Sequence, residues 1–150
     1  MSSQDPGRLF PDLQDWDDGR GISALSWVSG LGTVREAMLY SALLWPEFVE
    51  HRGCLLWSGS HEYFDDWVAR LDGDLAAVER MMNHCHLVDL ARKSGQEHTE
   101  EQLDGFGRLL QEMWQTKLRR DFPHLDVRVE LYWADRSWDL DAQITVYVAR

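Results

Sequence analysis

The last quarter of the chain carries its plainest pattern. Leu125, Val127, Val129, Leu131 and Trp133 alternate with Asp126, Arg128, Glu130 and Tyr132. After a polar stretch over 134–141, Ala142, Ile144, Val146 and Val148 alternate with Gln143, Thr145 and Tyr147. A period of two is that of extended chain with one apolar face, so the two runs predict an antiparallel hairpin with its other face wet. Just upstream the period changes. Leu103, Phe106, Leu110, Met113, Trp114 and Leu118 recur at helical spacing, with Lys117 as the one polar member of the stripe. Thr99 and Gln102 stand where a capping box needs them, acids follow in the first turn, and Lys117, Arg119 and Arg120 crowd the last. The pattern predicts a helix from Thr99 to about Phe122, stopped by Pro123.

Earlier elements are shorter. Thr33 is an N-cap for a helix reaching Trp45, where Pro46 ends it. Met38–Trp45 is apolar nearly all round, which predicts a buried helix. Cys54, Leu55, Leu56 and Trp57, flanked by Gly53 and Ser58, read as a buried strand. Ser60 would cap a helix over His61–Leu71, with Phe64, Trp67, Val68 and Leu71 inward and Glu62, Asp65 and Asp66 outward. Asp74 would cap a further helix to about Leu90, its inner stripe Leu75, Val78, Met82 and Cys85. Residues 91–98 form a polar linker, and Ile22–Val28 has no clean period, reading as strand or irregular chain. The whole is an α+β fold: about four helices on one face of a small antiparallel sheet with a C-terminal hairpin. Residues 1–21, with two prolines, three glycines and five aspartates, form an acidic N-terminal arm to a single domain over 22–150.

Composition sharpens this picture. The formal charge is -11, and residues 1–75 carry most of it, with 13 acidic against 5 basic side chains. Such a surface repels nucleic-acid backbones and anionic lipid and favours basic partners. No apolar run approaches the ~20 residues that span a bilayer, and no basic segment followed by an apolar stretch opens the chain. The expected location is the cytoplasm, where Cys54 and Cys85, both in apolar surroundings, would be buried, inert thiols. Of eight tryptophans, Trp45, Trp57, Trp67, Trp114 and Trp133 take inward positions, whereas Trp16 and Trp138 lie among aspartates in loops.

No string of residues fixes a reaction. Ser29-Gly30-Leu31-Gly32-Thr33 leads into a helix, but Arg35 stands where a dinucleotide fingerprint needs glycine, and a tight turn is the better reading. Asn83-His84-Cys85-His86 is the most metal-like run. On the helix expected there, residues two apart point about 200° from one another, so His84 and His86 would not share an ion. Asp89, three residues beyond His86, and Glu47 with His51 have helical spacing. A small hydrolase or metal-assisted enzyme would draw on Glu47, His51, His61, His84, His86 and Asp89 if folding brought them together.

The favoured expectation is different: no catalysis, no cofactor and no metal, but a small acidic protein that occupies a basic protein partner, in the manner of immunity or inhibitor proteins that neutralise cationic nucleases. Asp15-Trp16-Asp17-Asp18, an aromatic ringed by carboxylates, suits such a surface. Glu62, Asp65 and Asp66 extend the charge, and Tyr132, Tyr147 and Trp138 offer aromatic contacts on the hairpin and its loop. A structural role, with the hairpin edge pairing to another chain, is the third possibility; the oligomeric state stays open.

Overall fold

The computed structural model describes residues 5–90, 98–133 and 142–150. Their fold is α+β, with eight α-helices, five of them of seven residues or more, and two small antiparallel sheets among the described residues. Contacts divide the chain into two compact units, one up to Leu43 and one from Leu44 onward.

The first unit is helical. A short α1 (Pro6–Leu9) is capped by Asp5, whose carboxylate accepts the Gly7 N–H. A 3-10 turn follows over Pro11–Gln14, then α2 (Trp16–Gly19), α3 (Ala24–Leu31) and α4 (Val34–Leu44). In α2, Asp17 and Asp18 are both left-handed, at φ 53° and 55°, a region that aspartate tolerates better than most residues. The ambiguous stretch after Ile22 resolves as helix because Ser23 caps it: its hydroxyl oxygen accepts the Ser26 N–H at 3.1 Å. Thr33 and Glu36 cap α4 reciprocally, at 3.1 Å from the Glu36 N–H to the threonine oxygen and 3.0 Å from the Thr33 N–H to the carboxylate. The burial expected of Met38–Trp45 is not observed. Met38, Leu39 and Tyr40 are each more than half exposed, and neither α3 nor α4 has a buried residue.

The second unit holds both sheets. Strands β1 (Phe48–His51) and β2 (Cys54–Trp57) pair from Phe48 with Trp57 to His51 with Cys54. Arg52 and Gly53, at φ 51° and 85°, make the two-residue turn with two left-handed positions that matches strand twist. Residues His61–Tyr63 form a 3-10 turn, not the first turn of a helix, and α5 begins at Phe64 and ends at Arg70. Ser60 does not cap it; its hydroxyl donates back to the Trp57 carbonyl. Helix α6 (Leu75–Met82) starts where expected, with the Asp74 carboxylate accepting the Ala76 and Ala77 N–H groups. It stops eight residues short of the expected end. The chain instead forms β3 (Cys85–His86) and α7 (Leu87–Leu90). Helix α8 (Glu100–Asp121) carries the complete Thr99–Gln102 capping box. Strands β4 (Val127–Trp133) and β5 (Ala142–Val148) pair along their whole length, and β3 joins the other side of β5 only at Ile144 and Gln143. The sheet order is β3-β5-β4.

Buried polar side chains explain why α6 ends early. Among the described residues, past Ile144 no strand lies on that side of β5, and α6 supplies its hydrogen bonds. Asn83 donates to the Val146 carbonyl at 3.0 Å and to the Leu55 carbonyl at 2.7 Å, and accepts the Trp57 N–H at 3.0 Å. One turn earlier, Glu79 accepts the Leu55 N–H at 2.5 Å, the Val148 N–H at 2.9 Å and the Arg150 guanidinium at 3.0 Å. Two side chains four residues apart thus stand in for a missing strand between β2 and β5. Helix α8 does the same for β4. Gln111 donates to the Val129 carbonyl, and Gln115 donates to Val127 and accepts from the Val129 N–H. Backbone groups that would otherwise be unpaired or open to strand addition are satisfied.

The core has two apolar foci. Cys54, Leu56, Phe64 and Val78 form one, with Trp67, Val68, Leu71, Leu75 and Met82 against it. Trp114, fully buried, meets Trp57 edge-on at 5.2 Å and Phe48 at 6.4 Å. Trp45 and Trp133, expected inward, are more than one-third exposed. Trp45 instead lies under the Arg120 guanidinium, 5.1 Å from its ring centre.

Candidate functional site

The residues expected to serve an enzyme fall into separate groups. His51, at the end of β1, and His61, in the 3-10 turn, stand with ring centres 5.8 Å apart, and the Phe64 ring packs edge-on against His51 at 4.9 Å. His84 and His86 form a second pair at 5.3 Å. Their meeting corrects the helical expectation: the chain has left the helix at Asn83, and in extended chain residues two apart face the same way. Asp89 lies on α7 and Glu47 just before β1, its carbonyl accepting the Ser58 N–H. Among the described residues no three His, Cys, Asp or Glu side chains are placed to hold a metal ion together. The thiols are shielded. Burial pushes Cys85 up to about 11, and burial with the nearby Glu79 carboxylate raises Cys54.

The outer hairpin face is less open than alternation predicts. Tyr147 is buried: the Arg80 guanidinium lies 3.4 Å above its ring, and its hydroxyl donates to Glu130, which Arg80 also engages at 3.2 Å. Tyr132 remains exposed and donates to Gln143 at 2.6 Å. Trp138 lies outside the described residues. Glu62, Asp65 and Asp66 are all exposed, and the Asp65 carboxylate is paired with Arg52, whose own guanidinium stacks on Phe64.

The first unit carries most of the exposed large apolar side chains among the described residues. Leu25, Val28, Leu31, Val34, Met38, Leu39 and Tyr40 each expose half or more of their surface, and Trp27 exposes 39%. Between Ile22 and Trp45 the only charged side chains are Arg35 and Glu36. In the same unit Asp15, Trp16, Asp17 and Asp18 are all exposed, and Arg20 lies 3.7 Å from Asp17. An open depression of about 480 Å³, lined by Asp5, Gly7, Arg8, Gln14, Ile22 and Ser23, lies between α1 and the start of α3. The acidic cluster was legible in the sequence. The open apolar helices were not: the pattern of Met38–Trp45 predicts burial, and Ile22–Val28 has no clean period.

No protein-family model matches the chain, and no characterised protein or solved structure is significantly similar to it. No helix among the described residues is long and apolar enough to cross a membrane.

Proposed function

We propose that this protein is a non-catalytic binding module whose first unit docks onto a basic protein. The observation that supports the reading is the eight large apolar side chains left open on α3 and α4, in the same unit as Asp12, Asp15, Asp17 and Asp18. Large apolar side chains exposed in this number on one unit are a feature of interaction sites. At ~100 Å² each, those side chains would contribute about 800 Å², one partner's share of a standard interface. Trp27, Leu31 and Met38 would act as anchors in an apolar patch of the partner. Exposed aspartates would meet lysines and arginines on its rim and speed the encounter.

The test is crosslinking capture from cell extract with the full chain, beside Leu31→Asp, Met38→Asp and a triple Asp15→Asn, Asp17→Asn, Asp18→Asn variant. The expected result is one strongly basic protein, lost with either aspartate substitution on the helices. Its association rate should fall at least tenfold between low and physiological ionic strength, and less so in the triple variant. Capture that ignores these substitutions, or a rate indifferent to salt, overturns the reading. So does self-association through α3 and α4, which added salt would strengthen because both copies are acidic.

A further inference from the structure

We propose that His84 and His86 form a binding site for a zinc-like divalent ion. The site belongs to the second unit and does not depend on the docking reading. It arises because Asn83 is drawn out of α6 to bridge β2 and β5. The chain that follows is extended and pairs with β5, so positions 84 and 86 share a face while alternation turns Cys85 the other way.

The spacing of the rings suits one ion between them. A Zn–N bond of about 2.1 Å places the metal about 3.2 Å from an imidazole centre, so two imidazoles at a tetrahedral angle stand about 5.2 Å apart. The His84 and His86 ring centres are 5.3 Å apart, at 71° between planes. The His51–His61 pair, at 5.8 Å, would need an angle of roughly 130° at the metal by the same construction, and Phe64 packs against His51.

The tautomer also suits a ligand. His84 Nδ1 lies 2.7 Å from the Met81 carbonyl oxygen. A carbonyl only accepts, so Nδ1 is the donor there, and in the neutral ring Nε2 is the nitrogen with the lone pair. Such a second partner is what orients metal-binding histidines elsewhere. Both rings are half-buried, held by the fold yet reachable by a hydrated ion. Imidazole nitrogens select zinc, copper or nickel over magnesium or calcium. With two protein ligands, water fills the remaining positions, and the ion would stay open to a further group.

Zinc chloride titrated into the full chain, followed by calorimetry, provides the test. The expected result is one site of micromolar affinity, weakened at least tenfold by His84→Gln and by His86→Gln, and kept in His51→Gln and His61→Gln. Magnesium should give no heat. Nitrogen-detected imidazole spectra of the unmutated protein add a readout that no folding defect can mimic: zinc should shift Nε2 of His84 while Nδ1 keeps its proton. No binding up to about 1 mM zinc, or binding that survives both His84→Gln and His86→Gln, overturns the proposal.

Discussion

Glu79→Gln is nearly isosteric, yet it should be among the costlier single changes in this chain. Glu79 is fully buried, and every group around its carboxylate is a donor: the Leu55 N–H, the Val148 N–H and the Arg150 guanidinium. A carboxylate accepts on both oxygens, whereas an amide accepts on one and donates on the other. If the amide nitrogen faces Leu55, two N–H groups oppose each other in the core. If it faces Val148, that N–H and Arg150 both lose their acceptor. An unsatisfied buried donor costs about 1–3 kcal/mol. The lost charge pair adds little, because the Arg150 side chain is about one-third exposed, and relief from burying a carboxylate offsets part of the loss. The net is about 3 kcal/mol. Urea unfolding at neutral pH would show it as a midpoint lowered by roughly 2 M at a slope of about 1.5 kcal/mol/M. Glu112→Gln, on the exposed side of α8, should stay within about 0.5 kcal/mol and serves as the control. A midpoint shift below about 0.5 M for Glu79→Gln, with slope unchanged, would refute the view that this carboxylate replaces a strand.

Three titrating groups give further tests. With burial raising both thiols, Cys85 to about 11, alkylation by iodoacetamide at pH 8 should be at least tenfold slower in the folded protein than in urea; comparable rates would show the thiols to be open. The hydrogen bond from Lys117, helped by one from Arg120, holds the Asp121 carboxyl below its ordinary range. Its folded value is therefore below its unfolded one, so its stabilisation is present at neutral pH and lost as pH falls through the folded value, below about pH 4. Asp121→Asn should lower the thermal midpoint at pH 7 and flatten the acid limb of the stability profile; an unchanged acid limb would remove Asp121 from that account.

Strong local signals survived folding, and weak ones yielded to tertiary contacts. Helix α8 and the β4–β5 hairpin were legible because each carries both a period and a stop: a capping box and Pro123 for one, unbroken alternation for the other. Helix α6 was legible at its start, where the Asp74 cap is local, and illegible at its end. The apolar stripe runs on through Cys85 and Val88, and only the needs of Leu55, Trp57 and Val146 pull Asn83 away. Missing that exit had a consequence for chemistry, because on a continuing helix His84 and His86 diverge, whereas after it they meet. Strand β1 was not expected at all. Its one signal is the turn Arg52-Gly53, whose glycine takes the second left-handed position.

The apolar helices teach a different lesson. A period of apolar residues states that a segment gains from burial; it does not say what will bury it. For α8 the answer lies in β4 and β5, against which it packs. Among the described residues of the first unit nothing provides that for α3 and α4, which bury none of their residues. Helices of eight and eleven residues are too short to be stable in water on propensity alone, which is the physical ground for proposing a partner there. Along the C-terminal hairpin, Glu79 and Asn83 satisfy part of the open side of β5 and Gln111 and Gln115 part of that of β4. Hairpin-edge pairing would have to break those bonds before making new ones. A docked partner on α3 and α4 breaks none, and it removes from water the surface that has most to gain from leaving it.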